Sequence, residues 1–205
     1  MKNTKILIII IVTLLLLIVG CNANEGSGDN EKGTLIKDHE MGLDNFGDFY
    51  SYNKIENMGT YETGPISVDI ESVETIKGSI TEGIKSAGEE EYQDMELISF
   101  LLRFDLIEQI DENLKFTSKE NIHLVTDSGE EIQQPHSLLS SVVGIDIMKT
   151  NHEAEESPFL RNFIFEVEES TAQEIEEAIL IIDAPVDSEG NPVGKDLEIE
   201  IDFKE

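Results

Sequence analysis

The chain predicts an all-β domain, an antiparallel sandwich of about seven or eight strands, behind a processed leader and a flexible tether. Three observations carry that expectation. Across residues 66–203, short runs alternate apolar and polar residues at period two, the pattern of strands with one buried face. Turns bearing glycine, asparagine and aspartate separate the runs at irregular intervals of roughly 10–20 residues. Helix-start chemistry is read at Ser170-Thr171-Ala172-Gln173-Glu174, where overlapping capping-box spacings open one or two helical turns.

The leader occupies residues 1–20. Lys2 and Lys5 form a short positive region, and residues 6–19 follow, all apolar except Thr13. A membrane-spanning helix needs roughly 20 apolar residues and the core of an export signal about 7–15, so this stretch fits an export signal. It ends in Ile18-Val19-Gly20-Cys21: an aliphatic residue, a tolerant position, a small residue and a cysteine, which looks like a bacterial lipobox. The small Gly20 gives a peptidase room at the scissile bond, and the Cys21 thiolate is the nucleophile that takes a diacylglyceryl group. Cleavage between Gly20 and Cys21 leaves Cys21 as a lipidated first residue at the outer face of the cytoplasmic membrane. The alternative is an uncleaved signal-anchor with an incidental cysteine. Two acyl chains anchor stably where one is marginal, at about 0.8 kcal/mol per buried methylene. Cys21 is the only cysteine, which excludes an intramolecular disulfide and a cysteine-cluster metal site.

Residues 21–64 read as this lipidated N-terminus, a polar tether and an aromatic arm. Residues 22–33, NANEGSGDNEKG, have nothing to bury and make a flexible linker. Phe46, Phe49, Tyr50, Tyr52 and Tyr61 then crowd into a stretch without sustained period. Either the rings pack on the domain from an irregular arm, or they stack on a sugar or a partner.

The sandwich domain is expected over 65–205. Ile66, Val68 and Ile70 alternate with Ser67 and Asp69, and the phase slips at Glu71-Ser72 before Val73, as at a bulge. Gly78, Gly83 and Gly88 break the next stretch. In 95–107, Ile98, Phe100, Leu102, Phe104 and Leu106 share one face and Leu97, Ser99, Leu101, Arg103 and Asp105 the other. That suits a central strand, since phenylalanine at period two favours strand over helix. Short strands follow around 114–116 and 122–126, with a hairpin turn at Asp127-Ser128-Gly129-Glu130. Phe163, Phe165 and Val167 mark another strand over 159–167, and 178–182 is a continuous apolar run stopped by Asp183-Ala184-Pro185. Leu197, Ile199, Ile201 and Phe203 alternate with Glu198, Glu200 and Asp202 in the last. With no cysteine pair, apolar packing alone joins the sheets.

Charge bounds the partners. The chain has 44 acidic and 14 basic residues, a net of −30, and loss of Lys2 and Lys5 with the leader makes it −32. Such a surface repels nucleic-acid phosphates and anionic headgroups and attracts cations or basic proteins.

A lipobox, a polar tether, a long apolar strand, a late F-x-F strand and a closing alternating strand together resemble the immunoglobulin-like domains of small Gram-positive surface lipoproteins, many of them domains of unknown function. The resemblance spans about 66–203. It implies an extracellular immunoglobulin-like β-sandwich without catalysis, and it brings no ligand residue onto this chain.

Two catalytic patterns are missing from the sequence: neither G-x-S-x-G nor H-E-x-x-H occurs. His39, His123, His136 and His152 lack metal-ligand spacing and read as surface residues. One constellation could wrap a hard cation such as calcium: Asp183, Asp187 and Glu189 before Gly190-Asn191, with Asp196 after them. Its order departs from D-x-D-x-D-G, and an ordinary polar hairpin loop predicts the same letters. No cofactor is otherwise expected. Two functions are compatible with these features. One is a membrane-anchored binding module for an envelope protein, a wall polymer or a cation; the other is a protective or inhibitory lipoprotein whose acidic face neutralises a basic protein.

Overall fold

Strand β4, Met95–Leu106, is apolar on one face, mixed on the other and paired on both sides, so the rest of the fold is described around it. The computed structural model describes residues 33–37, 42–81, 92–107, 113–153 and 160–204. They belong to one compact unit that begins at Gly33. The leader, Gly20, Cys21 and most of the tether lie outside the described residues, as do Gly83, Gly88 and His39.

The strands in chain order are β1 (Thr34–Leu35), β2 (Gly47–Thr63), β3 (Ile66–Ile80), β4, β5 (Ile122–Thr126), β6 (Glu131–Ile132), β7 (Leu160–Val167), β8 (Glu177–Ile182) and β9 (Leu197–Asp202). Two helices accompany them, α1 (Ser118–Asn121) and α2 (Ile145–Glu153). One sheet runs β1-β2-β3-β4-β7 and the other β6-β5-β8-β9, with every pairing antiparallel. The expected all-β sandwich is the observed architecture. Its connectivity has a character of its own: β2, β3 and β4 form a meander in one sheet, whereas the immunoglobulin constant-type order moves to the opposite sheet after its second strand.

One apolar cluster joins the sheets. Phe100, Phe104, Phe163 and Phe165 from the five-stranded sheet meet Leu124, Leu180, Ile182, Ile199 and Ile201 from the other. Phe100 and Phe165 pack edge to face at 5.7 Å, and Phe104 and Phe163 do so at 5.6 Å, the orientation that ring quadrupoles favour. The expected inward face of β4 is buried here, from Ile98 to Leu106 at alternate positions.

The bulge is where the phase slip places it. Ile70 pairs with Leu102 and Ser72 with Leu101, so Glu71 is the extra residue of β3. Strand β2 departs from register at the same level, between Glu56 and Gly59, with positive φ at Asn57 (57°) and Gly59 (106°). Glu71 turns its carboxylate to the Arg103 guanidinium, whose Nε donates at 3.1 Å.

Three expectations change. The domain begins well before 65, because the aromatic arm is the long strand β2, paired along β3 from Gly47↔Ile80 to Thr63↔Ile66. Its rings are spaced by bulges at Ser51/Asn53 and Glu56/Gly59, which erase the period-two signal. Phe46 and Phe49 do pack on the domain, with Phe49 wholly buried; Tyr61 packs on the main core and Tyr50 stays exposed. Gly78 does not break β3. It pairs with Phe49, whose ring covers it, and a Cβ at Gly78 would collide with that ring. Around 114–116 only Lys115 bridges, to Val186, while Leu114 and Phe116 face the core. At 171–175 the expectation of one or two helical turns is met by a single turn, with the Glu174 and Ile175 N–H groups donating to Thr171 O.

Candidate functional site

Each sheet has an outer face, and the two differ. On the five-stranded sheet, the end of β2, β3, β4 and β7 nearest β1 carries Phe49, Ile76, Ile80, Leu97 and Ile164 outward. These are covered by Leu43, Leu139, Ile36 and Phe46, so a second small core closes this end. The turn at 136–141 is fixed over β7 by hydrogen bonds: His136 N–H donates to Ile164 O at 2.7 Å, and Ser141 N–H to Asn162 O at 2.8 Å. Farther along the same face, Ser99 Oγ donates to Asn162 Oδ1 at 2.8 Å, both nearly inaccessible.

A groove of about 690 Å³ lies beside this cap, floored by Ser72, Glu74 and Leu101 and bordered by Leu35 and Tyr52. Its charges close on one another. Lys54 Nζ lies 3.0 Å from Glu56 and 3.2 Å from Glu74, and Glu71 meets Arg103. The hydrogen bond to Glu56 raises the Lys54 pKa above its ordinary value against the opposing effect of partial burial. The groove therefore presents matched ion pairs, with little surplus charge of either sign.

The four-stranded sheet is different. Register puts Ala178, Leu180 and Ile182 inward, so Ile179 and Ile181 point out. One cross-strand row reads Glu131, Val125, Ile179, Glu200, and the next reads His123, Ile181, Glu198. Val125, Ile179 and Ile181 are half-buried and belong to neither apolar cluster. Glu131, Glu198 and Glu200 are exposed, and none of them makes an ion pair among the described residues. The sequence carries one signal for this face. The run AILII of 178–182 is apolar at consecutive positions, as a strand covered on both sides would be, yet a sandwich covers only one.

The loop proposed to hold calcium does not gather its carboxylates. Asp183 Oδ2 lies 2.8 Å from His123 Nε2. Asp187 Oδ1 accepts the Glu189 and Asn191 N–H groups at 2.8 and 2.9 Å, and Asp196 Oδ1 accepts the Ala184 N–H at 2.8 Å. Glu189 is exposed beside them. Among the described residues no group of three histidine, cysteine, aspartate or glutamate side chains is placed to hold a metal ion. Two of the four acids, Asp187 and Asp196, serve the loop itself: short carboxylates fold the backbone by taking its own N–H groups, and that use predicts the same letters. Asp187 is held below the ordinary aspartate pKa, first by the Asn191 side chain and then by the Asn191 N–H.

Two of the histidines are more than surface residues. His123 Nδ1 lies 2.7 Å from Gln133 O and Nε2 faces Asp183, so both partners are acceptors. His136 Nδ1 accepts the N–H groups of Leu138 and Leu139 at 3.3 Å, while Nε2 faces Glu166 at 3.8 Å. Each ring pins a turn. His152 is exposed at the end of α2. Among the described residues no helix is long and apolar enough to cross a membrane.

No protein-family model matches the chain, and neither a curated protein sequence nor a solved structure does.

Proposed function

We propose that the protein is a non-catalytic binding module of the cell envelope, held at the outer face of the cytoplasmic membrane by a lipid on Cys21 of a Gram-positive bacterium. The observation that carries the reading is Ile18-Val19-Gly20-Cys21 directly behind an apolar run of export-signal length, with no other cysteine in the chain. A lipid on that residue, followed by a dozen polar tether residues of roughly 20 Å reach, holds the sandwich close above the headgroups. Its partners there are an envelope protein or a wall polymer. The net negative charge disfavours nucleic acid.

A second reading is favoured by one observation, the unpaired acidic margins of the open sheet face. In it the lipoprotein protects the cell or inhibits, by neutralising a basic protein that reaches the membrane. Crosslinking in intact cells followed by pull-down tests both readings. The binding-module reading expects a reproducible envelope partner that disappears with Cys21→Ser, because the anchor places the domain. The protective reading expects one tight basic partner that is released by charge reversal. Wild-type cells that yield no crosslinked partner would contradict both.

A further inference from the structure

We infer that the outer face of the β6-β5-β8-β9 sheet is a docking surface for a basic amphipathic helix of a partner protein. The inference rests on the second reading above and gives it a location. Three features of the face point to that occupant. Its centre is aliphatic, formed by Val125, Ile179 and Ile181, which pack into neither apolar cluster. Its margins are acidic on both sides, with Glu131 on β6 and Glu198 and Glu200 on β9. The opposite sheet, by contrast, has its outward apolar residues covered by the chain's own cap.

Dimensions agree with a helix. Three inter-strand spacings separate β6 from β9, about 14–15 Å, and a helix with its side chains is about 10–12 Å across. A helix laid along Ile179 and Ile181 puts its apolar stripe on the aliphatic strip. Lysines or arginines on both margins of that stripe then reach the two glutamate rows. Glu198 and Glu200 stand two residues apart on one face, about 7 Å, and repel each other while no cation lies between them. Covering sheet faces with helices is the ordinary way such surfaces are buried. The charge complementarity is specific to this face, because the glutamates of the groove on the other sheet are already matched to Lys54 and Arg103.

The test uses the full chain in detergent and a synthetic eighteen-residue leucine–lysine peptide with a helical apolar stripe. Controls are the same composition scrambled and the same pattern with glutamate for lysine. Expected are helix formation by the patterned lysine peptide on mixing, seen by circular dichroism, and hydrogen-exchange protection confined to β5, β8 and β9. Glu198→Lys with Glu200→Lys weakens binding at least tenfold, and Ile181→Ser weakens it at least fivefold at unchanged net charge. Val125→Thr repeats the second result with the least change of shape, and unchanged melting of each variant shows that the fold is kept. The inference is overturned if the scrambled peptide binds as well, or if Glu62→Lys with Asp69→Lys on the other sheet weakens binding equally. In cells, a crosslinked partner still captured by the Glu198→Lys, Glu200→Lys variant overturns the inference and leaves the binding-module reading standing. Cells without a captured partner, with the peptide bound at this face, overturn both readings above and leave the docking surface itself standing.

Discussion

Asp187 shows how a carboxylate that resembles a metal ligand is used by its own loop. Its Oδ1 takes two backbone N–H groups and its Oδ2 the Asn191 side chain at 3.0 Å. Those donors stabilise the ionised form, so the folded pKa lies below the ordinary value of about 3.9. A group depressed in this way contributes fully above the unfolded pKa and loses its contribution as pH falls through the folded one. Amide exchange at Glu189 and Asn191 should therefore quicken below about pH 4 relative to the rest of the chain. Asp187→Ala should produce the same quickening at pH 7, with little change in melting temperature because the loop is at the surface. Equal exchange in the variant and the wild type would remove the carboxylate from the loop's order.

At the scale of the element, the bulge in β3 decides which faces are apolar. Deleting Glu71 leaves Ile70 inward, Ser72 outward and Val73 inward, a regular ladder against Leu102 and Leu101 of β4. What is lost is a partly exposed ion pair with Arg103, worth at most about 1 kcal/mol. Deleting Glu74 instead turns Ile76 and Ile80 away from the small outer core and puts Lys77 in place of Ile76. The Glu71 deletion is expected to fold with a slightly lowered melting temperature and the Glu74 deletion to lose cooperative melting; two similar melts would contradict the register. The two faces of β4 and the extents of β5, β7 and β9 were legible from period-two positions, the bulge from the point where the alternation slips, and β8 from its continuous apolar run. Strand β2 was hidden by its two bulges, and α2 by its small apolar stripe of Ile145 and Met148. Of the candidate site, the acidic excess was legible. The loop acids mislead because turn-forming and metal-binding carboxylates share a spacing, and the open face of β8 emerges only from the register with β9.

The whole molecule carries a net −30, and its described acids lie on both sheets and on the loops. Like charges within a compact domain lower its stability at low salt, and screening relieves this over a Debye length of about 8 Å at physiological ionic strength. Sodium chloride should raise the melting temperature, and millimolar calcium at equal ionic strength should raise it by the same amount, because Asp187 and Asp196 are taken up by N–H groups of their loop and Asp183 by His123. A site-bound ion would add RT ln(1 + [L]/Kd), about 2.7 kcal/mol at a hundredfold excess over Kd, so an extra calcium shift that vanishes in Asp187→Asn with Glu189→Gln would restore the metal site. The proposed anchor is central to the account, since it would place the acidic sandwich where a basic partner would meet it. The most direct measurement is metabolic labelling with a fatty-acid analogue, combined with the mass of the mature N-terminus. The account predicts a labelled chain that begins at Cys21 and carries a diacylglyceryl group, and an unlabelled, mislocalised chain for Cys21→Ser. Equal labelling of both, or a mature chain that retains residues 1–20, would contradict it.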